Sequence, residues 1–322
     1  MELFSRNDIH LYCDDAMNVY SQWERPTVIV CDGPYGVNGY PGDLMSVDGL
    51  AEWYEKHIKE WNRYATPKTT LWFWNTEHGW ATVHPALVRL GWEFKSCNIW
   101  NKGKSHVAGN TNTKTLSHLP IVTEVCVQYV KKAIFNVNGI EMTMKEWLRY
   151  EWERTGLPFS KTNTTCGVID AATRKYFTKC HLWYMLPADA FGKISDYANT
   201  YGNKDGVPYF SRDGKRPLTT SEWQELKPVF HCPFGYTNVW EVPQLRTKER
   251  LKQDQKAVHL NQKPLELIRN IIEMSSNEGD VVWDPFSGLC TTGVACKELK
   301  RKAYCAEIRP EVYSVAVERI TK

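Results

Sequence analysis

Short apolar runs bounded by polar or turn residues recur along the first part of the chain, and they predict buried β-strands. Such runs cover residues 9–13, 27–31, 69–74, 92–100 and 122–130. A short amphipathic piece covers residues 16–23, and apolar positions at helical spacing predict helices over 48–65 and 78–90, the first capped by Asp48. This alternation of strands and helices predicts an α/β fold, with a doubly wound, mostly parallel sheet covered on both faces.

The pattern changes after Lys132. Residues 133–240 show no sustained alternation, but frequent turn residues and polar clusters, with short helical pieces at 144–154 and 221–226. We therefore expect an inserted module at 133–240, between two parts of one domain at 1–132 and 241–322.

Regular alternation resumes near His259. Pro264 begins a predicted helix that runs to Met274, and a strand follows at 281–283. The remaining predicted elements are a helix at 291–299, a strand at 303–306 and a helix at 310–320. The chain thus closes with the same βα alternation with which it begins.

Composition narrows the class of protein. The 322 residues include 14 Trp, 16 Tyr and 10 Cys. No apolar run is long enough to span a bilayer, and the first residues lack the basic-then-apolar order of a signal peptide, so we expect a cytoplasmic protein without membrane contact. The cysteines form no C-x-x-C pair; a zinc site is conceivable, but the spacing fits no standard ligand pattern and no metal is expected. Its conceivable ligands are Cys166, Cys180, His181, His231 and Cys232.

The net charge of +3 is unevenly distributed, since acidic residues outnumber basic ones only in the first hundred positions. Basic stretches of this kind can follow a phosphate backbone, although solvated lysines on an ordinary surface explain any one of them equally well. The local excess lies at Lys102, Lys104, Lys114, Lys131, Lys132, Arg246, Lys248, Arg250, Lys252 and Lys256.

The first candidate site is Asp32-Gly33-Pro34-Tyr35, directly after a predicted strand. Ligands gather at such strand ends in open α/β sheets. The loop offers a carboxylate, an unobstructed backbone carbonyl, a stiff proline and an aromatic face, which together suit a planar ring that bears an amine. Gly36, Gly39 and Pro41-Gly42 then predict a flexible, lid-like segment that extends to about residue 46. Taken alone, Asp32 could equally be a turn cap and Tyr35 a core aromatic.

The second candidate site is Asp284-Pro285-Phe286-Ser287-Gly288, followed by a helix and a strand that ends on Glu307. This order is typical of a nucleoside site, where a glycine lets the ligand approach the backbone and an acid takes the ribose hydroxyls. The turn is not G-x-G-x-x-G, and it lacks the Lys-Ser/Thr pair of a phosphate loop. An adenosine derivative without a bound pyrophosphate is therefore favoured, although each residue alone could be an ordinary turn or strand-end residue.

Three motifs resemble those of DNA amino-methyltransferases. Residues 284–288 with Gly293 resemble the S-adenosylmethionine motif, and residues 32–35 look like the catalytic (D/N/S)-P-P-(Y/F/W) loop. Residues 261–264, Asn-Gln-Lys-Pro, resemble the segment that precedes the cofactor strand. Their order is similar to that of the permuted, beta-ordered group, and it places 133–240 where that family carries its target-recognition region.

The resemblance implies a seven-stranded Rossmann-like sheet, S-adenosylmethionine as the cofactor, and a role for each matching residue. It implies that Asp32 and the Gly33 carbonyl hold the target amine, that Pro34 stiffens the loop and that Tyr35 stacks on the base. The implied cofactor residues are Asp14, Asp15, Cys31, Asp32, Lys263, Pro264, Asp284, Pro285, Phe286, Ser287, Gly288, Thr291, Thr292, Gly293, Glu307 and Ile308.

Gly33 departs from the family pattern, which usually has Pro at this position. Glycine keeps the carbonyl but loses rigidity, so we expect a loop that needs DNA to become ordered.

The resemblance implies methylation of double-stranded DNA on the exocyclic amine of a flipped-out base, as part of a restriction-modification system with a cognate endonuclease. Asp at the first loop position favours adenine N6, and cytosine N4 is the alternative. Methylation of RNA or of a protein amide fits less well, because those enzymes mostly carry Asn-Pro-Pro-Tyr. A catalytically inactive DNA-binding module is a further alternative, and both a monomer and a homodimer remain open.

Overall fold

A computed structural model describes residues 2–38, 43–103, 116–204, 206–245, 250, 252–253, 256–257 and 262–322. Part of the predicted lid (Gly39, Pro41, Gly42), several basic positions (Lys104, Lys114, Arg246, Lys248), His259 and Asn261 lie outside these residues, as do the side chains of Lys252 and Lys256. The chain divides into two compact units. The first comprises Met1–Lys131 and Pro228–Lys322, and the second comprises Lys132–Lys227.

The elements follow the predicted order closely. The strands are β1 (Glu2–Arg6), β2 (Ile9–Cys13), β3 (Val28–Cys31), β4 (Thr70–Asn75), β5 (Trp92–Asn101), β6 (Thr123–Lys131), β7 (Ile134–Val137), β8 (Ile140–Thr143), β9 (Val239–Trp240), β10 (Lys252–Gln253), β11 (Lys256–Ala257), β12 (Val281–Asp284) and β13 (Lys302–Glu307). The helices are α1 (Ala16–Val19), α2 (Leu50–Tyr64), α3 (Glu77–Arg89), α4 (Met144–Arg154), α5 (Ser160–Cys166), α6 (Ala171–Lys175), α7 (Ala188–Tyr201), α8 (Thr220–Gln224), α9 (Leu265–Ser275), α10 (Thr291–Leu299) and α11 (Pro310–Thr321).

The first unit is built on one mostly parallel sheet, in the strand order β1-β2-β13-β12-β3-β4-β6-β5-β9. The seven strands from β2 to β5 in that order form the predicted sheet, and β6 runs antiparallel to both of its neighbours. The expected count of seven is too low, because β1 adds an antiparallel edge strand beside β2 and β9 adds a parallel one beside β5. Among the described residues, the sheet therefore has nine strands.

Alternation along the central strands separates two hydrophobic layers. On β3, Ile29 and Cys31 pack with α2 and α3 on one face, while Val28 and Val30 pack with α9, α10 and α11 on the other. Side chains of a strand point alternately to opposite faces, so a run that is apolar throughout is buried on both sides. This is the doubly wound arrangement that the sequence predicts.

The beginning of α2 differs from the prediction. Asp48 does not cap the helix; instead, the side chain of Ser46 accepts a hydrogen bond from the backbone N–H of Asp48. A single 3₁₀ turn over Val47–Gly49 follows, and α2 begins at Leu50. A similar 3₁₀ turn, Tyr20–Gln22, continues the short helix α1.

The second unit has its own aromatic core. Trp147 of α4 stacks on Phe135 at 4.1 Å between ring centroids, and Phe191 of α7 stacks on Trp223 at 4.3 Å. Thr143 caps α4 in a reciprocal capping box with Glu146. These packed aromatic pairs give the inserted unit a hydrophobic core of its own.

The insertion ends earlier than the predicted boundary at residue 240. Residues 228–240 belong to the first unit, where Val239 and Trp240 pair with Ile99 and Trp100 of β5. The ring of Trp240 lies 5.8 Å from that of Trp74, in the layer that faces α9. Because β9 is only two residues long, its pairing leaves no periodic signal in the sequence.

No helix in the described ranges is both long and apolar enough to cross a membrane.

Candidate active site

The two candidate motifs meet at one edge of the sheet. Strands β2, β13, β12 and β3 are parallel neighbours, so the residues that follow each of them emerge at the same carboxyl edge. At this edge, the residues that follow the four strands line a cavity of about 590 Å³. The predicted residues that line it are Asp14, Asp15, Asp32, Gly33, Pro34, Tyr35, Lys263, Asp284, Pro285, Phe286, Ser287, Gly288, Thr291, Thr292, Glu307 and Ile308.

Three predicted cofactor residues do not line this cavity. Cys31 is fully buried in the layer that faces α2. Gly293 packs α10 against β2, since a Cβ atom there would lie 2.5 Å from Sγ of Cys290 and 3.2 Å from Cγ2 of Ile9. Pro264 precedes α9 as its N-cap. Cys31 and Gly293 thus lie in packed positions and Pro264 begins α9, while contact of these residues with a cofactor stays a prediction.

The loop after β12 is held by its first residue, Asp284. Its carboxylate accepts hydrogen bonds from the hydroxyl of Thr292 at 2.5 Å and from the backbone N–H of Phe286 at 3.1 Å. Gly288 adopts a left-handed conformation with φ of 50°, which favours glycine. Burial raises the pKa of Asp284 to about 7. The cofactor loop is thus shaped by a buried carboxyl group that titrates near neutral pH.

Replacing Asp284 by Asn should remove a pH-dependent loss of stability. Between the ordinary pKa of 3.8 and the folded-state pKa of about 7, the folded chain retains a proton that the unfolded chain has released. The contribution of Asp284 to the free energy of unfolding therefore falls as the pH rises through this window. Urea denaturation of wild type and D284N from about pH 4 to about pH 8 measures this contribution. As the pH rises, the free energy of unfolding of the wild type should decline relative to that of D284N. A difference that does not vary with pH would contradict this assignment.

Acidic residues also follow β13 and β2. The carboxylate of Glu307 is buried and accepts a hydrogen bond from the backbone N–H of Arg309 at 2.9 Å, and burial raises its pKa. Asp15 caps α1 by accepting the backbone N–H of Met17 at 2.9 Å. Asp14 accepts the side-chain amide of Asn18 at 2.7 Å. The cavity therefore presents carboxylates from three neighbouring strand ends besides that of Asp32.

The loop 32–35 is held by contacts that the sequence does not reveal. The carbonyl of Pro34 accepts hydrogen bonds from the hydroxyl of Tyr54 at 2.9 Å and the amide of Asn75 at 3.1 Å. The carboxylate of Asp43 accepts the backbone N–H groups of Tyr35 at 2.9 Å and Gly36 at 2.7 Å. These bonds supply fixation that the first proline of the family pattern, replaced here by Gly33, would otherwise provide.

Gly33 occupies a position with no room for a side chain. A Cβ atom there would lie 2.6 Å from the hydroxyl oxygen of Tyr54 and 2.7 Å from Cδ2 of Phe286, closer than real Cβ atoms approach their neighbours. The departure from the family's proline therefore has a local steric reason. The loop packs against Tyr54 and Phe286, and its need for DNA to become ordered stays a prediction.

Asp32 lies in a network of buried charges. Oδ1 of Asp32 accepts hydrogen bonds from Nζ of Lys263 at 2.7 Å and from the hydroxyl of Tyr35 at 2.9 Å. Nζ of Lys263 also lies 3.3 Å from Oε2 of Glu124, and Nζ of Lys102 lies 2.5 Å from Oε1 of Glu124. Two carboxylates and two ammonium groups thus share the space behind the candidate catalytic loop.

A second, smaller cavity of about 180 Å³ is bordered by some of the same side chains as the first. Tyr35 and Lys263 line both cavities. The small cavity also borders Trp100, Lys102 and Glu124. Its aromatic and charged walls suit a planar ring that carries hydrogen-bonding groups.

Sequence reasoning missed the supporting residues Asp43, Tyr54, Asn75 and Glu124, and it treated Lys102 only as a surface charge. Tyr54, Asn75 and Glu124 act through partners far away in sequence, and Asp43 acts through the backbone of a loop seven or eight residues before it, so none belongs to a local motif. One signal was available: Asn75 ends the mostly apolar strand β4, and Glu124 lies near the start of β6.

All ten cysteines are free thiols. Within the ranges that the structure covers, no group of three or more His, Cys, Asp or Glu side chains is arranged to hold a metal ion.

The fold and cavity define a doubly wound α/β protein with a nucleoside-type pocket, and comparison with known proteins gives its family. The family model for N6/N4-type DNA methylases matches residues 27–318. The chain belongs to this DNA methylase family.

Two curated relatives share parts of the sequence. The chain is 39% identical over 128 residues to the DNA adenine methyltransferase YhdJ of Escherichia coli K12, covering 39% of this chain and 42% of that protein. It is 37% identical over 159 residues to the type II methyltransferase M.HpaI of Haemophilus parainfluenzae, covering 48% of each. The chain therefore spans about half, or less, of the length of these relatives.

Solved structures show the same fold at low sequence identity. The complex of M1.HpyAVI with SAM has a TM-score of 0.52 at 16% identity. The match covers 98% of this chain and 100% of that one. The cytosine-N4-specific PvuII DNA methyltransferase has a TM-score of 0.53 at 12% identity, covering 97% of this chain and 90% of that one. These similarities concern the fold alone.

Proposed function

We propose that this protein transfers a methyl group from S-adenosylmethionine to the exocyclic amine of a base in double-stranded DNA. One observation carries the proposal: the loop 32–35 and the loop 284–288 line the same cavity, together with Glu307. A binding site for a methyl donor and a site for an amine acceptor would have to adjoin in this way.

The donor chemistry of the cavity fits this cofactor. Glu307 presents a buried carboxylate, which suits two ribose hydroxyls, and Asp14 or Asp15 could accept the adenine amine. Phe286 and Trp53 add apolar walls, their ring centroids 5.5 Å apart. When bound, S-adenosylmethionine would supply an electrophilic methyl group on a sulfonium centre; the carbon–sulfur bond breaks as the nitrogen–carbon bond forms, S-adenosylhomocysteine leaves, and the amine gives up one proton.

The chain's own part in the reaction is to orient and polarise the target amine. The lone pair of an exocyclic amine is delocalised into the ring, so the nitrogen is a poor nucleophile. Asp32 and the carbonyl of Gly33 would each accept one amine hydrogen and draw the nitrogen toward tetrahedral geometry. This is positioning and electrostatic stabilisation without a covalent enzyme intermediate. Because Lys263 and Tyr35 both bind Oδ1 of Asp32, Oδ2 is the oxygen assigned to the amine.

The target base is proposed to lie against Tyr35, which lines both cavities, with its amine at Asp32 and Gly33 in the large cavity. The ring of Tyr35 would stack on the base there, after the base has left the duplex. Adenine N6 is the favoured target, because Asp stands first in the loop; cytosine N4 is the alternative. The unit 132–227 is proposed to recognise the target sequence, and a cognate endonuclease would act on the same site.

Transfer of labelled methyl groups to mixed-sequence duplex DNA tests the proposal. We expect label in DNA, released on digestion as N6-methyladenine; label in N4-methylcytosine would select the alternative base. Cofactor binding without label in any DNA would contradict the proposed reaction and favour an inactive DNA-binding module. Parallel assays with RNA and with protein extract test the remaining acceptors.

A further inference from the structure

Glu124 is a half-buried acid at the candidate active site that belongs to none of the three motifs. It lies near the start of β6, the strand that runs against both of its neighbours. This reversed direction brings the start of β6, and with it Glu124, to the edge of the sheet where the parallel strands end. The side chain is 15% exposed. An acid that is largely withdrawn from water needs charged partners, and these partners indicate its role.

The two oxygens of Glu124 contact different partners. Oε1 lies 2.5 Å from Nζ of Lys102, while Oε2 lies 3.3 Å from Nζ of Lys263. The hydroxyl of Tyr35 has one hydrogen to donate, and Oε2 of Glu124 at 3.2 Å shares it with Oδ1 of Asp32 at 2.9 Å. Burial alone would raise the pKa of Glu124, but Lys263 and Lys102 outweigh it and lower the pKa, which keeps this carboxyl group ionised.

Lys263 stands between two carboxylates. Its side chain is 5% exposed, with Nζ 2.7 Å from Oδ1 of Asp32 and 3.3 Å from Oε2 of Glu124. The ammonium group also lies 5.2 Å from the ring centroid of Tyr35 and 5.4 Å from that of Trp74. The position of this cation therefore depends on Glu124 as well as on Asp32.

The four charged side chains that contact one another here have no net charge. Asp32 and Glu124 contribute two negative charges, and Lys102 and Lys263 contribute two positive charges. If Glu124 were neutral, Lys263 would have Asp32 as its one carboxylate partner in the group. The full electrostatic attraction of Lys263 would then act on the carboxylate of Asp32, which must accept a hydrogen bond from the substrate.

We propose that Glu124 is a positioning residue for methyl transfer, which shares the charge of Lys263 and holds the hydroxyl of Tyr35. The carboxylate of Asp32 thereby remains a strong acceptor at Oδ2, and the ring of Tyr35 stays in place for the base. This inference rests on the proposed function. Lys102 supports it by neutralising the second oxygen of Glu124.

The variant E124Q tests this role, because Gln keeps the shape and a hydrogen-bond acceptor but removes the charge. We expect kcat for methyl transfer to fall about 10- to 100-fold, of the order seen when a partner that orients a site residue is lost. The dissociation constant for S-adenosylmethionine should stay within about twofold, because Glu124 does not line the large cavity. An unchanged kcat would overturn the proposal.

The neighbouring acid Glu77 provides a matched control. It accepts a hydrogen bond from the hydroxyl of Thr123, the residue directly before Glu124, so E77Q makes the same chemical change close by. We expect E77Q to keep kcat within about twofold of wild type. An equal loss of kcat in both variants would overturn the proposal, because a general loss of local charge would then explain the effect.

The double variant K102Q/E124Q distinguishes the effect of Glu124 on Lys263 from its effect on Lys102. It also keeps the proposal testable if E124Q fails to fold because Lys102 is left unpaired. We expect the double variant to fold, to bind cofactor and to remain slow, because Lys263 still lacks its second carboxylate. Recovery of wild-type kcat would overturn the proposal, since Glu124 would then serve only to neutralise Lys102. Absence of transfer by the wild type would instead contradict the proposed function itself.

Discussion

The variant D32A should lose methyl transfer, with kcat lower by about 10²–10³-fold or more, while it still binds S-adenosylmethionine. Asp32 is the one carboxylate of the 32–35 loop, and Lys263 and Tyr35 fix its orientation through Oδ1. Removing it takes away the stabilisation of the reacting amine, but not Glu307 or the loop 284–288. Single-turnover methyl transfer and calorimetric titration with cofactor measure the two effects separately.

The variant D32N is the conservative partner of this test. Asn has one oxygen, which Lys263, Tyr35 and the target amine must then share, and it has no charge to pair with Lys263, so we expect activity between that of D32A and wild type. Loss of cofactor binding in both variants would contradict the role assigned to Asp32, because the residue would then belong to the cofactor site.

The variant G33A should weaken both the fold and the cofactor site, although it introduces one methyl group. The new Cβ atom would lie 2.6 Å from the hydroxyl oxygen of Tyr54 and 2.7 Å from the ring of Phe286, which lines the large cavity. Overpacking of this kind costs about 1–3 kcal/mol, which corresponds to a Tm lower by several degrees. We expect the affinity for S-adenosylmethionine to fall about tenfold, since Phe286 must shift.

Gly49 offers the matched control for this substitution. A Cβ atom at Gly49 would meet no atom within 4 Å, and its φ of −86° is open to any residue. We therefore expect G49A to keep its Tm and its cofactor affinity, or to gain slightly in stability because the unfolded chain loses freedom. A G33A protein as stable and as tightly bound to cofactor as G49A would contradict the packing described for this loop.

Much of the first unit could be predicted because its signals are local. Strand β12, the loop from Asp284 to Gly288 and helix α10 are contiguous in sequence, so apolar alternation and a turn glycine mark them. The same holds for β3 and its loop. The parallel order of neighbouring strands then predicts that the loop 32–35 and Glu307 meet at one edge.

The supporting residues could not be predicted, because each depends on a distant partner. Glu124 contacts Lys263 only because β6 runs against β4 and brings its first residues to the catalytic edge. Tyr54 meets the Pro34 carbonyl through the packing of α2 on the sheet. The local sequence does not indicate that β6 runs antiparallel to β4. It also does not indicate which face of α2 brings the hydroxyl of Tyr54 to the loop.

The end of the insertion was misplaced for a related reason. The sequence from 228 to 240 is rich in turn residues and resembles the module before it, so composition alone places the boundary at 240. Trp240 nevertheless completes the hydrophobic layer beside Trp74. A single tryptophan on a two-residue edge strand contributes to the core without any periodic pattern.

Nucleoside analysis of DNA from cells that express the wild-type chain or D32A tests the central claim most directly. The wild type should yield a base methylated on its exocyclic amine, with N6-methyladenine expected, and D32A should yield none above the level of cells without the gene. Absence of a methylated base in wild-type DNA, or equal amounts with D32A, would contradict methyl transfer at the loop from Asp32 to Tyr35.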